Sequence, residues 1–330
     1  MSAETEGLRY EAVQGWPRIP DEVGLVEAVG VAVNSKDEVF VFGRAAIPVL
    51  AFDREGHYLR GWGEGMFVRP HGIWIGPQDD LYLTDDKGHS VRQFSPDGEL
   101  IRVIGPGPVP SESGIDGMDY RTIRPGAGPF NMPTNLVRGP QGDLFITDGY
   151  GNARVHRFTP TGELVTSWGE PGDSPGQFNV PHGIAADADG RLYVCDRENS
   201  RIQLFSPAGE LLAIWSDVAR PCQAFVVGDL VFVAELGFHA GVFPWNAMDS
   251  SRTGGRVSVF DRDGKLLHRW GGGANPASPG DFYSPHDITQ DSQGSVYVAE
   301  VKVSAAGPSG TDSSGFPSLR KFVRRGQPIS

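Results

Sequence analysis

Cysteine is nearly missing from this chain: 2 of its 330 residues, Cys195 and Cys222. Two thiols exclude a disulfide framework and a cysteine-built metal site. Cys195 lies inside an apolar run and reads as a buried free thiol. Positive charge is also scarce, 29 Lys and Arg against 41 Asp and Glu, for a net charge of −12. Nucleic acids and anionic membranes demand clustered cations, so neither is expected as a partner. The short basic stretch RKFVRR, Arg320 to Arg325, reads as the exposed edge of a strand. No apolar run approaches the roughly 18 residues needed to cross a bilayer. The N-terminal MSAETEGLRYEAVQGW lacks the basic-then-apolar order of a signal peptide. A cytoplasmic location is therefore expected. Helix signals are almost absent, since no window carries a sustained 3.6-residue period with caps.

Glycine and proline are plentiful, at 45 and 26, beside 39 % hydrophobic residues. That balance suits a turn-rich all-β chain. Its organising stretch is Phe178 to Phe205, FNVPHGIAADADGRLYVCDRENSRIQLF, and the rest of the chain repeats its frame. F-x-x-P-H recurs at Phe67–His71 and Phe282–His286, and with threonine at Phe130–Thr134. Second strands read VFVFG to Gly43, LYLTD to Asp85, LFITD to Asp148, LYVCD to Asp196, VFVAE to Glu235 and VYVAE to Glu300. Third strands close on Phe52, Phe94, Phe158, Phe205, Phe260 and Phe322, and fourth strands often end Trp-Gly, as at Trp62, Trp168 and Trp270. Four short strands per copy, bounded by Gly, Pro and Asp turns, make the blade of a β-propeller. Six copies predict a six-bladed propeller over residues 1–330 as one domain. The sixth copy lacks a fourth strand, and Leu8–Trp16 at the N-terminus is expected to complete it, removing an open edge. Three segments break the period: 105–128, 236–255 and 301–317. The middle one carries Phe238, His239, Phe243 and Trp245 and reads equally as an aromatic lid or as a loop packed on the rim.

Counting back fourteen residues from the end of each second strand gives Val29, His71, Thr134, His182, Pro221 and His286. The histidines fall on alternate copies, so in a closed ring they would converge. Taken singly, each reads as a strand start whose ring is satisfied by backbone. Three together, with a fourth position open, are the ligand set of a catalytic zinc, although another divalent metal is compatible. His57, His89, His156, His239 and His268 share no register and read as surface or structural residues. Beside the histidines, Arg44 and Arg197 hold one slot just past the second strand in copies one and four, and Tyr150 lies two past Asp148. A guanidinium suits a carboxylate, and a tyrosine near a cation suits acid–base work. Each of the three reads equally as a connector between neighbouring blades.

ITDGYGNARVHRF, DRENSRIQLF, SPHDI at Ser284–Ile288 and VFGR at Val41–Arg44 resemble the catalytic core of the peptidylglycine α-amidating lyases, NHL-repeat propellers. The resemblance implies a six-bladed fold, zinc on His71, His182 and His286, Tyr150 as catalytic tyrosine, and Arg44 and Arg197 as active-site arginines. It also implies a structural calcium held by Asp287 and the carbonyls of Val31 and Ile73. Ser284 stands where the family has methionine, Gly151 where it has cysteine, and the family disulfides are absent. The expected activity is zinc-dependent cleavage of an N-(α-hydroxyalkyl) amide to an amide and an aldehyde such as glyoxylate, on a small substrate bearing a carboxylate. The rival readings are another metal-dependent hydrolase or lactonase on the same scaffold, and a non-enzymatic NHL scaffold that binds a ligand or protein.

Overall fold

The Gly- and Asp-bounded apolar runs fold as strands. The structure, a computed structural model, describes residues 8–241, 243, 245–246, 248–307 and 310–325. The segments 236–255 and 301–317, and the N-terminal stretch weighed as a signal peptide, each include residues outside that set.

In chain order β1 (Tyr10–Ala12) precedes six strand quartets. Blade one is β2 (Ala28–Val33), β3 (Val39–Gly43), β4 (Val49–Phe52) and β5 (Tyr58–Trp62). Blade two is β6 (Pro70–Ile75), β7 (Leu81–Asp85), β8 (Ser90–Phe94) and β9 (Leu100–Ile104). Blade three is β10 (Pro133–Arg138), β11 (Leu144–Asp148), β12 (Arg154–Phe158) and β13 (Leu164–Trp168). Blade four is β14 (Pro181–Ala186), β15 (Leu192–Asp196), β16 (Arg201–Phe205) and β17 (Leu211–Trp215). Blade five is β18 (Pro221–Val227), β19 (Leu230–Glu235), β20 (Arg256–Asp261) and β21 (Leu266–Gly271). Blade six is β22 (Pro285–Gln290), β23 (Val296–Glu300) and β24 (Leu319–Arg324), with β1 as its fourth strand. The architecture is a six-bladed β-propeller. Helix is confined, among the described residues, to one 3-10 turn at Tyr120–Thr122 and one short helix, α1 (Lys302–Ala306).

The chain divides into two compact units, residues 1–62 with 227–330, and residues 63–226. In the first, β1 pairs antiparallel with β24, Glu11 facing Val323, as the sequence predicted. This overturns the reading of Arg320–Arg325 as an exposed edge. β24 lies between β1 and β23, Arg320 is paired with the buried carboxylate of Glu300 at 2.8 Å, and Lys321 Nζ donates to the Arg54 carbonyl. In the second unit the first strands β6, β10 and β14 are neighbours.

Strand burial explains the composition of each copy. The second strands β3, β7, β11, β15 and β23 are buried at every residue, hence their unbroken apolar–aromatic character. Fourth strands are half-exposed, as in β9 and β17. The phenylalanine that opens F-x-x-P packs, with its ring tilted, against the phenylalanine that closes the third strand. Phe67 meets Phe94 at 5.7 Å, Phe130 meets Phe158 at 5.6 Å, Phe178 meets Phe205 at 5.8 Å and Phe282 meets Phe322 at 5.4 Å. Each buried ring contributes about 1.5–3 kcal/mol and fixes where the next strand begins.

Individual residues of two inserted segments are packed. Phe238 and Phe243 are buried, and Phe243 stacks on Trp245 at 4.9 Å. From the first insertion, Ser113 Oγ donates to the Gly151 carbonyl at 2.5 Å, tying that loop to the turn that carries Tyr150.

Candidate metal centre

The acid that ends each second strand places the histidine of its own blade. Asp85 accepts the backbone N–H of Val68 at 2.8 Å and of Arg69 at 2.9 Å. Asp196 accepts from Asn179 at 2.8 Å, and Glu300 from Tyr283 at 2.8 Å and Ser284 at 3.2 Å. In blade three Asp148 does the same for Asn131. The lead-in is thus held at both ends, by a packed ring and by a buried carboxylate. It is also bent: Val180, directly before Pro181–His182, has φ of 63°. A β-branched residue adopts that conformation only under tertiary constraint.

The three histidines are buried, and one ring nitrogen of each lies within 4.8 Å of those of the others. In each the Nδ1 faces a backbone carbonyl: His71 donates to Thr134 at 2.6 Å, His182 to Cys222 at 2.9 Å and His286 to Val29 at 2.6 Å. A carbonyl can only accept, so each Nδ1 carries hydrogen and each neutral ring presents an Nε2 lone pair. Such outer hydrogen bonds are what orient imidazoles toward a metal.

The acceptors correct one expectation. Val29 and Thr134 hold the predicted register, but in blade five the position is filled by Cys222, not Pro221. The first strands open at Pro70, Pro133, Pro181, Pro221 and Pro285, which makes Cys222 the counterpart of His71. The β18–β19 turn is tighter, with Val227 and Leu230 separated by Gly228 and Asp229, so a fixed count of fourteen overshoots.

Tyr150 joins two of the histidines. Its hydroxyl lies 3.0 Å from His71 Nε2 and 3.1 Å from His182 Nε2, and accepts from Arg197 Nη1 at 3.3 Å. Three buried histidines this close together could bind a metal ion.

Arg197 and Arg220 are buried, and the side chain of Glu198 between them is shielded from solvent. Glu198 accepts from Arg197 Nε at 2.8 Å and from Arg220 Nη2 at 2.9 Å. Burial opposes the charge of Glu198, but Arg220 and Arg197 outweigh it and hold the carboxyl below its usual range. Burial likewise opposes the charge of Arg197, but Tyr150, Glu198 and Cys222 outweigh it and its pKa is raised. Glu198 and Arg220 escaped the sequence reading. Arg220–Pro221 repeats the Arg69–Pro70 dipeptide one residue ahead of the histidine position, a signal that was present.

The other predicted site residues are distributed more widely. Arg44 Nη1 donates to Glu27 at 2.7 Å and to Ser304 of α1 at 2.5 Å. Asp287 is buried and its two oxygens accept from the N–H groups of Val31 at 3.0 Å and Ile288 at 2.8 Å. Ile73 is buried on β6. Of the histidines read as structural, His156 is fully buried with Nε2 3.2 Å from Asp148, and His57 lies 2.8 Å from Asp53.

The NHL repeat family matches residues 178–205, the organising stretch of the sequence. Human NHL repeat-containing protein 3 is 31 % identical over 211 residues, 60 % of this chain, which spans 57 % of that protein. Peptidyl-alpha-hydroxyglycine alpha-amidating lyase 2 of Drosophila melanogaster is 25 % identical over 317 residues, covering 88 % of this chain and 71 % of that one. Among solved structures, a streptogramin B lyase superposes with a TM-score of 0.61 at 15 % identity, over 97 % of this chain and 99 % of that one. The last shows a shared fold alone. No helix among the described residues is long and apolar enough to cross a membrane.

Proposed function

We propose that this chain is a metal-dependent carbon–nitrogen lyase. It splits an N-(α-hydroxyalkyl) amide of the α-hydroxyglycine kind into an amide and an aldehyde such as glyoxylate. The observation that carries the reading is the Tyr150 hydroxyl, poised between the Nε2 atoms of His71 and His182 and touched by Arg197. The relatives named amidating lyase support it.

The Nε2 atoms of His71, His182 and His286 would hold the ion, and three nitrogen donors favour zinc, which would supply Lewis acidity at the hydroxyl-bearing carbon. Tyr150 takes the substrate's hydroxyl proton and delivers it to the departing amide nitrogen. The O–H and C–N bonds break as the C=O and N–H bonds form. Arg197 orients Tyr150 and, with Arg44, is assigned to the substrate carboxylate. Burial of the histidines and Tyr150 keeps bulk water from the reacting atoms.

The test is elemental analysis of purified protein followed by incubation with α-hydroxyhippurate. We expect near-stoichiometric zinc, release of benzamide and glyoxylate, and loss of both products on chelation. Zinc-loaded protein that turns over no carbinolamide in a panel overturns the reading.

A further inference from the structure

Blades one, two and four each have two facing slots at the rim. One lies two residues before the histidine position, the other directly after the end of the second strand. Backbone hydrogen bonds join them: Arg44 N to Glu27 O at 2.9 Å, Asp86 N to Arg69 O at 3.2 Å, Arg197 N to Val180 O at 3.2 Å. Blade one fills the slots with Glu27 and Arg44, and blade two reverses the order with Arg69 and Asp86. In blade four Val180 offers Arg197 no charge, and that guanidinium turns to Tyr150 and Glu198.

The reversal in blade two sets a second guanidinium against Tyr150. Arg69 Cζ lies 5.5 Å from the Tyr150 ring centroid, and Arg197 Cζ lies at the same distance. Arg69 is held by Asp86, itself fully buried, through Nε at 2.7 and 2.8 Å and Nη2 at 2.6 Å. Three contacts to one carboxylate fix the guanidinium plane. The edges of His71 and His182 complete the enclosure, at centroid distances of 5.1 and 5.7 Å.

We propose that Arg69 is a positioning residue for Tyr150. Locked on Asp86, its guanidinium meets the phenol ring, as Arg197 also does, and holds the hydroxyl in line with His71 and His182. This deepens the reading above and rests on it. Lysine in its place would keep the charge but lose the planar fork that Asp86 grips.

Two measurements test it. In kinetics, Arg69→Met is expected to lower kcat roughly 3- to 30-fold, the scale of a cation–ring contact, with KM little changed, and Arg69→Lys to restore part of the loss. Placed on Tyr150→Phe, Arg69→Met should cost nothing further, because its effect runs through that phenol. An equal loss in both backgrounds, or a rise in KM at constant kcat, overturns the proposal. The second measurement needs no turnover. In protein labelled with ring-13C tyrosine, the Tyr150 resonance is identified by its absence in Tyr150→Phe. It should shift or broaden in Arg69→Met and stay in place in Arg157→Met, whose guanidinium contacts Phe145 instead. An unmoved Tyr150 signal in Arg69→Met overturns the positioning role by itself. Wild-type turnover by Tyr150→Phe overturns the functional reading instead.

Discussion

Blades three and four run on the same frame and carry different chemistry in it. Both open on Pro, at Pro133 and Pro181, and both pair that residue with the acid ending the second strand, Asp148 and Asp196. At the next residue blade three has Thr134 and blade four His182. Blade three contributes the Thr134 carbonyl, which holds His71; blade four contributes the imidazole itself. Past the acid, Tyr150 N donates to the Met132 carbonyl as Arg197 N does to the Val180 carbonyl, so Tyr150 in blade three and Arg197 in blade four hold one slot. Blade three reaches that slot through one extra residue, Gly149. A Cβ at Gly149 would lie 2.1 Å from the Pro181 carbonyl, so the approach of blade four leaves no room for a side chain there. Equivalent slots thus divide the work of one site, ligand against acceptor and phenol against its support.

The largest way to break that comparison is to exchange the two register residues. His182→Ala should lose the bound metal and reduce activity by more than about 100-fold, beyond the 10–100-fold usual for outer partners of a metal. Thr134→Val should keep the metal. Its carbonyl still holds His71, and what disappears is the hydroxyl bonded to Thr147 and the Pro181 carbonyl at 2.9 Å each. That loss costs about 1–3 kcal/mol of stability, visible in a melting curve. Metal content of both variants decides. Parallel loss of the ion in Thr134→Val would mean that the register positions are not divided into ligand and acceptor.

The same frame explains what could be read from the chain. The period was legible because each unit repeats a ring contact and an acid–backbone clamp, and both leave residue signatures: F-x-x-P, and Asp or Glu at the strand end. The histidine register followed from those signatures alone. Partners across loops were not legible. Arg44 meets Glu27 and Ser304, and the latter is 260 positions away, so no local spacing announces it. The Pro221 count failed where one hairpin turned tighter, because a count along the chain assumes equal turns. The basic C-terminal run reads as an edge by charge alone, whereas its pairing with the N-terminal strand places it inside the sheet.

A smaller effect sharpens the comparison at the two acids. Asp196 accepts from Asn199 at 2.8 Å, Arg201 at 2.7 Å and Gln203 at 3.2 Å as well as from the Asn179 N–H. Burial nevertheless pushes its carboxyl up from 3.8 to about 6, against Asn199 and Arg201. A folded-state pKa above the unfolded one favours folding while the group is protonated. That contribution is complete below the unfolded pKa and is lost as pH rises through the folded value. Asp196→Asn mimics the protonated form, so wild type and variant should differ least near pH 4. Between pH 4 and 7 the difference should move by at most about 3 kcal/mol toward the variant. Urea midpoints at four pH values measure it, with Asp148→Asn as the blade-three counterpart. A difference that stays flat with pH would show that Asp196 is ionised throughout.

The smallest effect is expected at Cys222, which stands in blade five where Thr134 stands in blade three. What it gives to the site is its carbonyl, 2.9 Å from His182 Nδ1. Its thiol is fully buried, and burial pushes it up to about 11 although Arg197 and Arg220 pull it down. At pH 8 a thiol of that kind is roughly 0.1 % thiolate, too little for nucleophilic reactivity. Cys222→Ser should therefore keep its metal and most of its activity, within about 3-fold, as a backbone acceptor survives a side-chain change. The native protein should also resist a disulfide reagent at Cys222 until it is unfolded. Rapid labelling of the folded chain, or metal loss in Cys222→Ser, would make this position a side-chain participant, and the shared role of Thr134 and Cys222 as carbonyl acceptors would no longer hold.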